Sequence, residues 1–423
     1  MVPFRRIAQV TLTLAVVVSL TAIAPPPSGT RVTDNAILAE HYPAARIPAF
    51  VAVHQGLAAE ALDRDPAVVA DWWRSLPARD RLRMPGQMPD VIGNLAGVDY
   101  ASRDRTNRSE LDRQHAELTG LADHRQMTAL EEARLAALTA IQGALAAASS
   151  SVPRFLVELT TDEPPLAAIS VGNLDTARLV TFAVPGMGTY TTDMQLWTRA
   201  AKNIYDAQSA AGAFGQAVVA WVGYRTPPVG IEATRDAYAD RGAVLLERDI
   251  LGLRASRADG TQPTLNIVAH SYGATTAAKA LRTDLDVRSF VMLGSAGVDP
   301  TLGNAAGLSA ELVFNGEASD DLEARWGRAD RIDPGEPAFG ALHLGVDGDA
   351  SADLLGVTGH APIIHSPWND DPASPAWTKY ADADVRAQLY KSHMASFGYL
   401  DVGTESLTNV GTATTPPRER GRG

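Results

Sequence analysis

Ser271 stands at the centre of Ala269-His270-Ser271-Tyr272-Gly273, directly after the apolar run Leu265-Asn266-Ile267-Val268. A serine flanked two places away by small residues, with a buried strand before it and an Ala-rich helix after it, has the layout of a nucleophile elbow. The spacing follows from the chemistry. A nucleophile held on a strained strand-to-helix bend needs small residues where the backbone closes on itself. Ala269 and Gly273 meet that need. The helix expected from about 274 to 282 aims its free N–H groups at the bend, where they favour developing negative charge.

A serine hydroxyl is a weak nucleophile until a base takes its proton and a carboxylate orients that base. On a strand–helix scaffold of this kind the order is serine, acid, histidine. The acid belongs after the strand-like Leu312-Val313-Phe314, in Asn315-Gly316-Glu317-Ala318-Ser319-Asp320-Asp321-Leu322. Asp320 is preferred for its Asp-x-aliphatic spacing, with Asp321 as the alternative. Three histidines lie late enough to be the base: His360, His365 and His393. His393 is preferred, because Lys391-Ser392-His393-Met394 precedes the final ordered segment; His365 and His360 stay open. His270 is expected to point away from the nucleophile, and His343 follows the acid too closely. An oxyanion needs two converging backbone donors. The N–H of Tyr272 is one by position, and Met187, in the Gly-rich Pro185-Gly186-Met187-Gly188-Thr189, is the candidate for the other.

The elements around these residues alternate. Strand-like runs are expected at 179–184, 217–222, 265–268, 290–294 and 312–314, with helices over about 193–211 and 232–255. Short apolar runs separated by helices call for a mostly parallel sheet with helices on both faces. Residues before about 150 carry no strand signal. Leu135, Leu138, Ile141 and Leu145 share one face of a helix over 127–148, and Trp72 and Trp73 anchor an earlier one. The Asp/Pro-rich stretch from Gly345 to Ala383 is expected to form a lid.

The net charge of −12 argues against nucleic acid as a partner. With no cysteine, thiol nucleophiles, disulfides and Cys-ligated zinc are excluded. His360, His365, Asp370 and Asp371 lack a helical ligand register, so no metal is expected, and no cofactor is called for. Arg5-Arg6 before the apolar stretch Ile7–Ala24, closed by Pro25-Pro26-Pro27, reads as an export signal or a retained membrane anchor. Ala22-Ile23-Ala24 suits cleavage and Pro25 opposes it. Either outcome puts the catalytic part outside the cytoplasm, secreted or attached to the envelope.

With these residues in place, the catalytic half resembles the α/β-hydrolase superfamily. From about 65 to 415 the chain is similar to the exported actinobacterial α/β-hydrolases grouped as DUF1023. The motifs are Trp72-Trp73-x-x-Leu76, Pro89-x-x-Ile92-Gly93-Asn94-Leu95-x-Gly97, Arg103-Asp104-x-x-Asn107, Val184-Pro185-Gly186-Met187-Gly188-Thr189, Gly223-Tyr224, the Ser271 pentad and Gly294-Ser295-x-Gly297-Val298. Asp333-Pro334, Phe339-Gly340-Ala341 and Tyr399-x-Asp401-x-Gly403-x-Glu405-Ser406-Leu407-x-Asn409 follow. The resemblance implies an α/β-hydrolase fold with a helical N-terminal region and a Ser271–Asp320–His393 triad. It brings little about substrate; the expected function is an exported serine hydrolase acting on small-molecule or lipid-like esters through an acyl-enzyme. A non-catalytic binding protein on the same fold is the alternative. The expected divisions are 1–34 (signal or anchor and linker), 35–150 (helical region), 151–412 (catalytic domain) and 413–423 (disordered tail). Oligomeric state is not legible.

Overall fold

The computed structural model describes residues 65–146, 152–257 and 260–417. The expected signal or anchor lies outside the described residues. Among those described, no helix is long and apolar enough to cross a membrane. The helical region comprises α1 (Pro66–Ser75), α2 (Ala78–Gln87), α3 (Pro89–Ile92), α4 (Tyr100–His124) and α5 (Ala129–Ala146). The strand–helix part then runs β1 (Arg154–Leu159), β2 (Ala167–Val171), β3 (Leu179–Val184), α6 (Met194–Ala210), β4 (Gln216–Val222), α7 (Ala237–Ser256) and β5 (Thr264–His270). It continues with α8 (Tyr272–Ala280), β6 (Val287–Leu293), β7 (Ala310–Gly316), α9 (Leu322–Gly327), β8 (Leu342–His343), α10 (Pro375–Thr378), α11 (Ala383–Met394) and α12 (Glu405–Ala413).

The eight strands form one sheet in the order β1-β2-β4-β3-β5-β6-β7-β8. β2 runs antiparallel to β1 and β4, and the strands from β4 to β8 are parallel. Every residue of β3 and β4 is buried, as a sheet covered on both faces requires. On one side α6 packs on β4 and against α5 and α12; elsewhere α7 packs along α8 and α1. Trp73 is buried and its indole donates to Asp99 Oδ2 at 2.7 Å, so it is a core anchor.

The edge strand β1 explains two of the N-terminal motifs. Asp104 Oδ1 accepts from Leu156 N–H at 2.6 Å, and Asn107 Nδ2 donates to the Leu156 carbonyl at 3.1 Å. Three residues further along, Asn94 Oδ1 accepts from Leu159 N–H and its Nδ2 donates to the Leu159 carbonyl. These side chains take the place of a ninth strand and close an edge that would otherwise offer free pairing groups. Gly93 is required there, because a Cβ would collide with Asn107 Oδ1.

The far end is more ordered than expected. The Thr414 carbonyl accepts from Asn266 Nδ2 at 2.9 Å and the Ala413 carbonyl from Ser289 Oγ at 2.7 Å, so 413 and 414 belong to the packed body and not to a tail.

Candidate active site

β5 ends at His270 and α8 begins at Tyr272, leaving Ser271 alone on the bend with φ 53° and ψ −124°. A non-glycine residue in that region is strained and persists only where the surroundings fix it. They do so here. Ser271 N–H donates to the Leu293 carbonyl at 2.9 Å, and the Ser271 carbonyl accepts from Ala296 N–H at 3.2 Å. A Cβ on Gly273 would lie 2.6 Å from the Val184 and Pro185 carbonyl oxygens, so only glycine lets α8 start this close to β3. Ala269, fully buried, fits its place without strain.

The loop after β3 comes up against Ser271. A Cβ on Gly186 would sit 2.6 Å from Ser271 Cβ and 3.3 Å from its Oγ. Three contacts hold that loop. The buried Tyr224 hydroxyl donates to the Pro185 carbonyl at 2.7 Å, Gly188 N–H donates to the Pro227 carbonyl at 2.9 Å, and Thr226 Oγ1 donates to the Thr189 carbonyl at 2.9 Å. Thus the Gly-rich loop carrying Met187 lies beside Ser271 and the start of α8.

The side chains next to Ser271 are not the acid and base preferred from the sequence. His360 Nε2 lies 2.8 Å from Ser271 Oγ, and His360 Nδ1 lies 2.9 Å from both carboxylate oxygens of Asp321. Asp320 is exposed, on the outer side of the turn. Its Asp-x-Leu spacing misled because Leu322 is 58% exposed and anchors nothing. Asp321 points inward with no exposed surface and caps α9 through Ala324 N–H at 2.9 Å. His393 lies on α11, where its Nε2 meets Asp370 Oδ1 at 2.8 Å; it does not reach Ser271. His365 bonds the same oxygen of Asp370.

Two further residues complete the arrangement. Tyr399, fully buried, donates its hydroxyl to Asp321 Oδ2 at 2.7 Å and accepts from Ala318 N–H at 2.9 Å. Gly294 makes room for the pair: its φ is +52°, and a Cβ would lie 2.6 Å from Asp321 Oδ2. Burial works to raise the Asp321 pKa, but the bonds from His360, Ala324 N–H and Tyr399 outweigh it and hold the carboxyl below its ordinary value. His270 does not point away from the site, as the sequence reading had it. Its Nε2 lies 2.7 Å from the His360 carbonyl and its ring 4.8 Å from the His360 ring. Burial, aided by His360, pushes the His270 pKa down to about 3, against the opposing pull of that carbonyl and of Asp321. The ring is therefore neutral near pH 7 and donates through Nε2–H.

The C-terminal motif is the frame of the His360 loop. Asp401 accepts from Ile364, His365 and Gly398 N–H, Glu405 Oε2 from Gly348 N–H, and Asn409 Nδ2 donates to the Gly345 carbonyl. The stretch expected as a lid from Gly345 to Ala383 thus divides. Its first part carries His360 into the site, and only the later part, with α10, projects with no buried helical residue.

A serine-bearing bend at the carboxyl end of a central parallel strand, in this strand order, is matched by a family description. Residues 162–327 match the family model described as alpha/beta hydrolase. Over this part the chain carries an α/β-hydrolase fold. The matched residues include Ser271 and Asp321 and stop before His360. Two curated relatives are the uncharacterized proteins Rv2079 and MT2140 of Mycobacterium tuberculosis strains, each 27% identical over 293 residues. That alignment covers 62% of this chain and 44% of theirs, so the chain spans less than half the length of these relatives. Among solved structures it is similar to a dienelactone hydrolase from Anabaena variabilis, at 16% identity and TM-score 0.32, covering 59% of this chain and all of that one. It is also similar to the esterase LipW from Mycobacterium marinum, at 15% identity and TM-score 0.30, covering 60% and 83% of the two chains.

Proposed function

We propose that this α/β-hydrolase is a serine hydrolase that cleaves carboxylic esters through an acyl-enzyme on Ser271. The observation that carries the reading is the unbroken chain Ser271–His360–Asp321, with contacts of 2.8 and 2.9 Å, built on a strained serine. Asp321 accepts from His360 Nδ1–H, which leaves the Nε2 lone pair directed at the serine hydroxyl. Attack of Oγ on the ester carbonyl passes the hydroxyl proton to Nε2. The carbonyl oxygen, now negative, is met by the N–H groups of Tyr272 and Met187, each worth on the order of 3 kcal/mol of barrier. Collapse expels the alcohol, which takes the proton from Nε2–H. Water then repeats the sequence on the acyl-enzyme and frees the acid and the serine.

Two features favour an apolar acyl group and a working place outside the cytoplasm. Val229, 76% exposed, overhangs Gly188 on the loop beside Ser271, giving the rim an aliphatic surface. Arg5-Arg6 and the apolar stretch after them support export or envelope attachment. The DUF1023-type motifs agree with this placement.

A fluorophosphonate probe on the full chain tests the reading. The wild type should label at one site, and Ser271→Ala should neither label nor hydrolyse p-nitrophenyl esters, with kcat lower by about 10⁴-fold or more. Folded wild-type protein that resists the probe and turns over no ester of any chain length would instead support a binding role for the fold.

A further inference from the structure

We propose that His365, Asp370 and His393 form a binding site for a divalent transition-metal cation of the zinc type, which clamps α11 to the loop that carries His360. His365 Nδ1, Asp370 Oδ1 and His393 Nε2 all lie within 4.8 Å of one another. His365 Nδ1 is 2.9 Å from Asp370 Oδ1, and His393 Nε2 is 2.8 Å from the same oxygen. Two ring nitrogens therefore converge on one carboxylate oxygen. Around a tetrahedral ion with bonds of about 2.0–2.1 Å the ligand atoms sit about 3.3–3.4 Å apart, so the two nitrogen–carboxylate contacts need to lengthen by only about half an ångström.

The surroundings suit ligation. The other nitrogen of His365, Nε2, lies 2.8 Å from the Ser396 carbonyl, which accepts its proton and leaves Nδ1 with its lone pair in the neutral ring. A backbone carbonyl on the far nitrogen is the usual orienting partner of a metal-binding histidine. Asp370 is fixed at both ends of its peptide: its N–H donates to the Ser366 carbonyl at 2.8 Å, and its carbonyl accepts from the Tyr390 hydroxyl at 2.7 Å. The His393 ring is packed against Trp377 at 5.0 Å. The three side chains are 15%, 31% and 11% exposed, and an adjoining cavity of about 270 Å³ lined by His365, Asp370 and Asp401 leaves room for water as a fourth ligand.

Two imidazoles and one carboxylate choose the metal class. Hard calcium and magnesium ions want oxygen ligands, whereas zinc and its neighbours accept this nitrogen-rich set. Arg199 sets the limit on net charge. Its Nε donates to the His365 carbonyl at 3.0 Å and its guanidinium borders the same cavity, so the single carboxylate is partly offset. The clamp has a definite target, because neither α10 nor α11 buries a residue of its own. His365 lies five residues after His360 and is tied by its N–H to Asp401 Oδ1, so a metal at this point would join the projecting segment to the framed loop.

The full chain, stripped with a chelator and dialysed, should bind Zn²⁺ near one equivalent at micromolar concentration and unfold several degrees higher with it. Co²⁺ should give the visible absorption of a four-coordinate site. His393→Ala and Asp370→Ala should each lose the thermal shift and the Co²⁺ spectrum while keeping wild-type circular dichroism. Ca²⁺ and Mg²⁺ should produce no shift. Absence of zinc binding at tens of micromolar would overturn the proposal and leave a hydrogen-bonded His–Asp–His cluster. So would a shift that survives both substitutions. Because none of these readouts is catalytic, the result stands apart from whether Ser271 turns over esters.

Discussion

Tyr399 donates its hydroxyl to Asp321 Oδ2 at 2.7 Å while accepting from Ala318 N–H at 2.9 Å, so one buried oxygen ties the acid to its own loop. Replacing Tyr399 by Phe removes both bonds and nothing else of comparable size. The stranded Ala318 N–H should cost about 1–3 kcal/mol of stability by urea denaturation. With Asp321 less firmly held, kcat on an ester should fall about tenfold with KM within a factor of two, because the loss is in orienting His360. A stability loss with unchanged kcat would make Tyr399 a packing residue only.

Adjacent carboxylates give a sharper comparison. Asp321→Asn keeps the cap on α9, since asparagine caps as well as aspartate, but withdraws the negative charge behind His360. The expected fall in kcat is about 10⁴-fold, by analogy with removal of a triad carboxylate. The neighbouring Asp320→Asn, on an exposed side chain, should stay within twofold of wild type. His360→Ala should be as damaging as Asp321→Asn or more so. Equal activity of the two asparagine variants would refute the assignment.

His270 sets a pH dependence. A ring that stays neutral until pH nears 3 binds fewer protons than the same residue in the unfolded chain, which titrates near 6.5. Between those values the unfolded state is favoured by protonation, so this contribution is complete above pH 6.5 and declines as pH falls toward 3. The decline should be about 2 kcal/mol by pH 5. His270→Phe should lose less stability than wild type between pH 7.5 and 5, measured by urea midpoints at each pH. Equal losses in the two proteins would show that other groups carry the acid sensitivity.

The sequence exposed the parts of the fold that repeat and hid those that depend on a partner far along the chain. Strands β3 to β7 announce themselves as apolar runs, and the small residues around Ser271 mark the bend because sterics leave no other choice there. β1 and β2 escaped notice: Arg154 and Glu158 break the apolar texture of one, and Ala167-Ala168 dilutes the other. The long α4 is polar over most of its surface and buries side chains such as Asn107 and Arg103 for their hydrogen bonds, a signal that hydrophobic periodicity does not register. The choice between Asp320 and Asp321 turned on which of two neighbouring side chains points inward, and local spacing does not fix that. His360 was hidden because its place is dictated by Asp401, Glu405 and Asn409, about forty to fifty residues later. Of the late histidines, the favoured one is held instead by Asp370.

The carbonyls of Ala413 and Thr414 have a consequence for how the molecule comes together. They accept from Ser289 Oγ and Asn266 Nδ2, polar groups rooted inside β6 and β5, more than a hundred residues earlier. Strand β5, which ends at the Ser271 bend, therefore lacks this acceptor for Asn266 until the segment at 413–414 has packed. Removing the segment at 413–414 would leave both groups without these acceptors, in the two neighbouring strands beside the Ser271 bend.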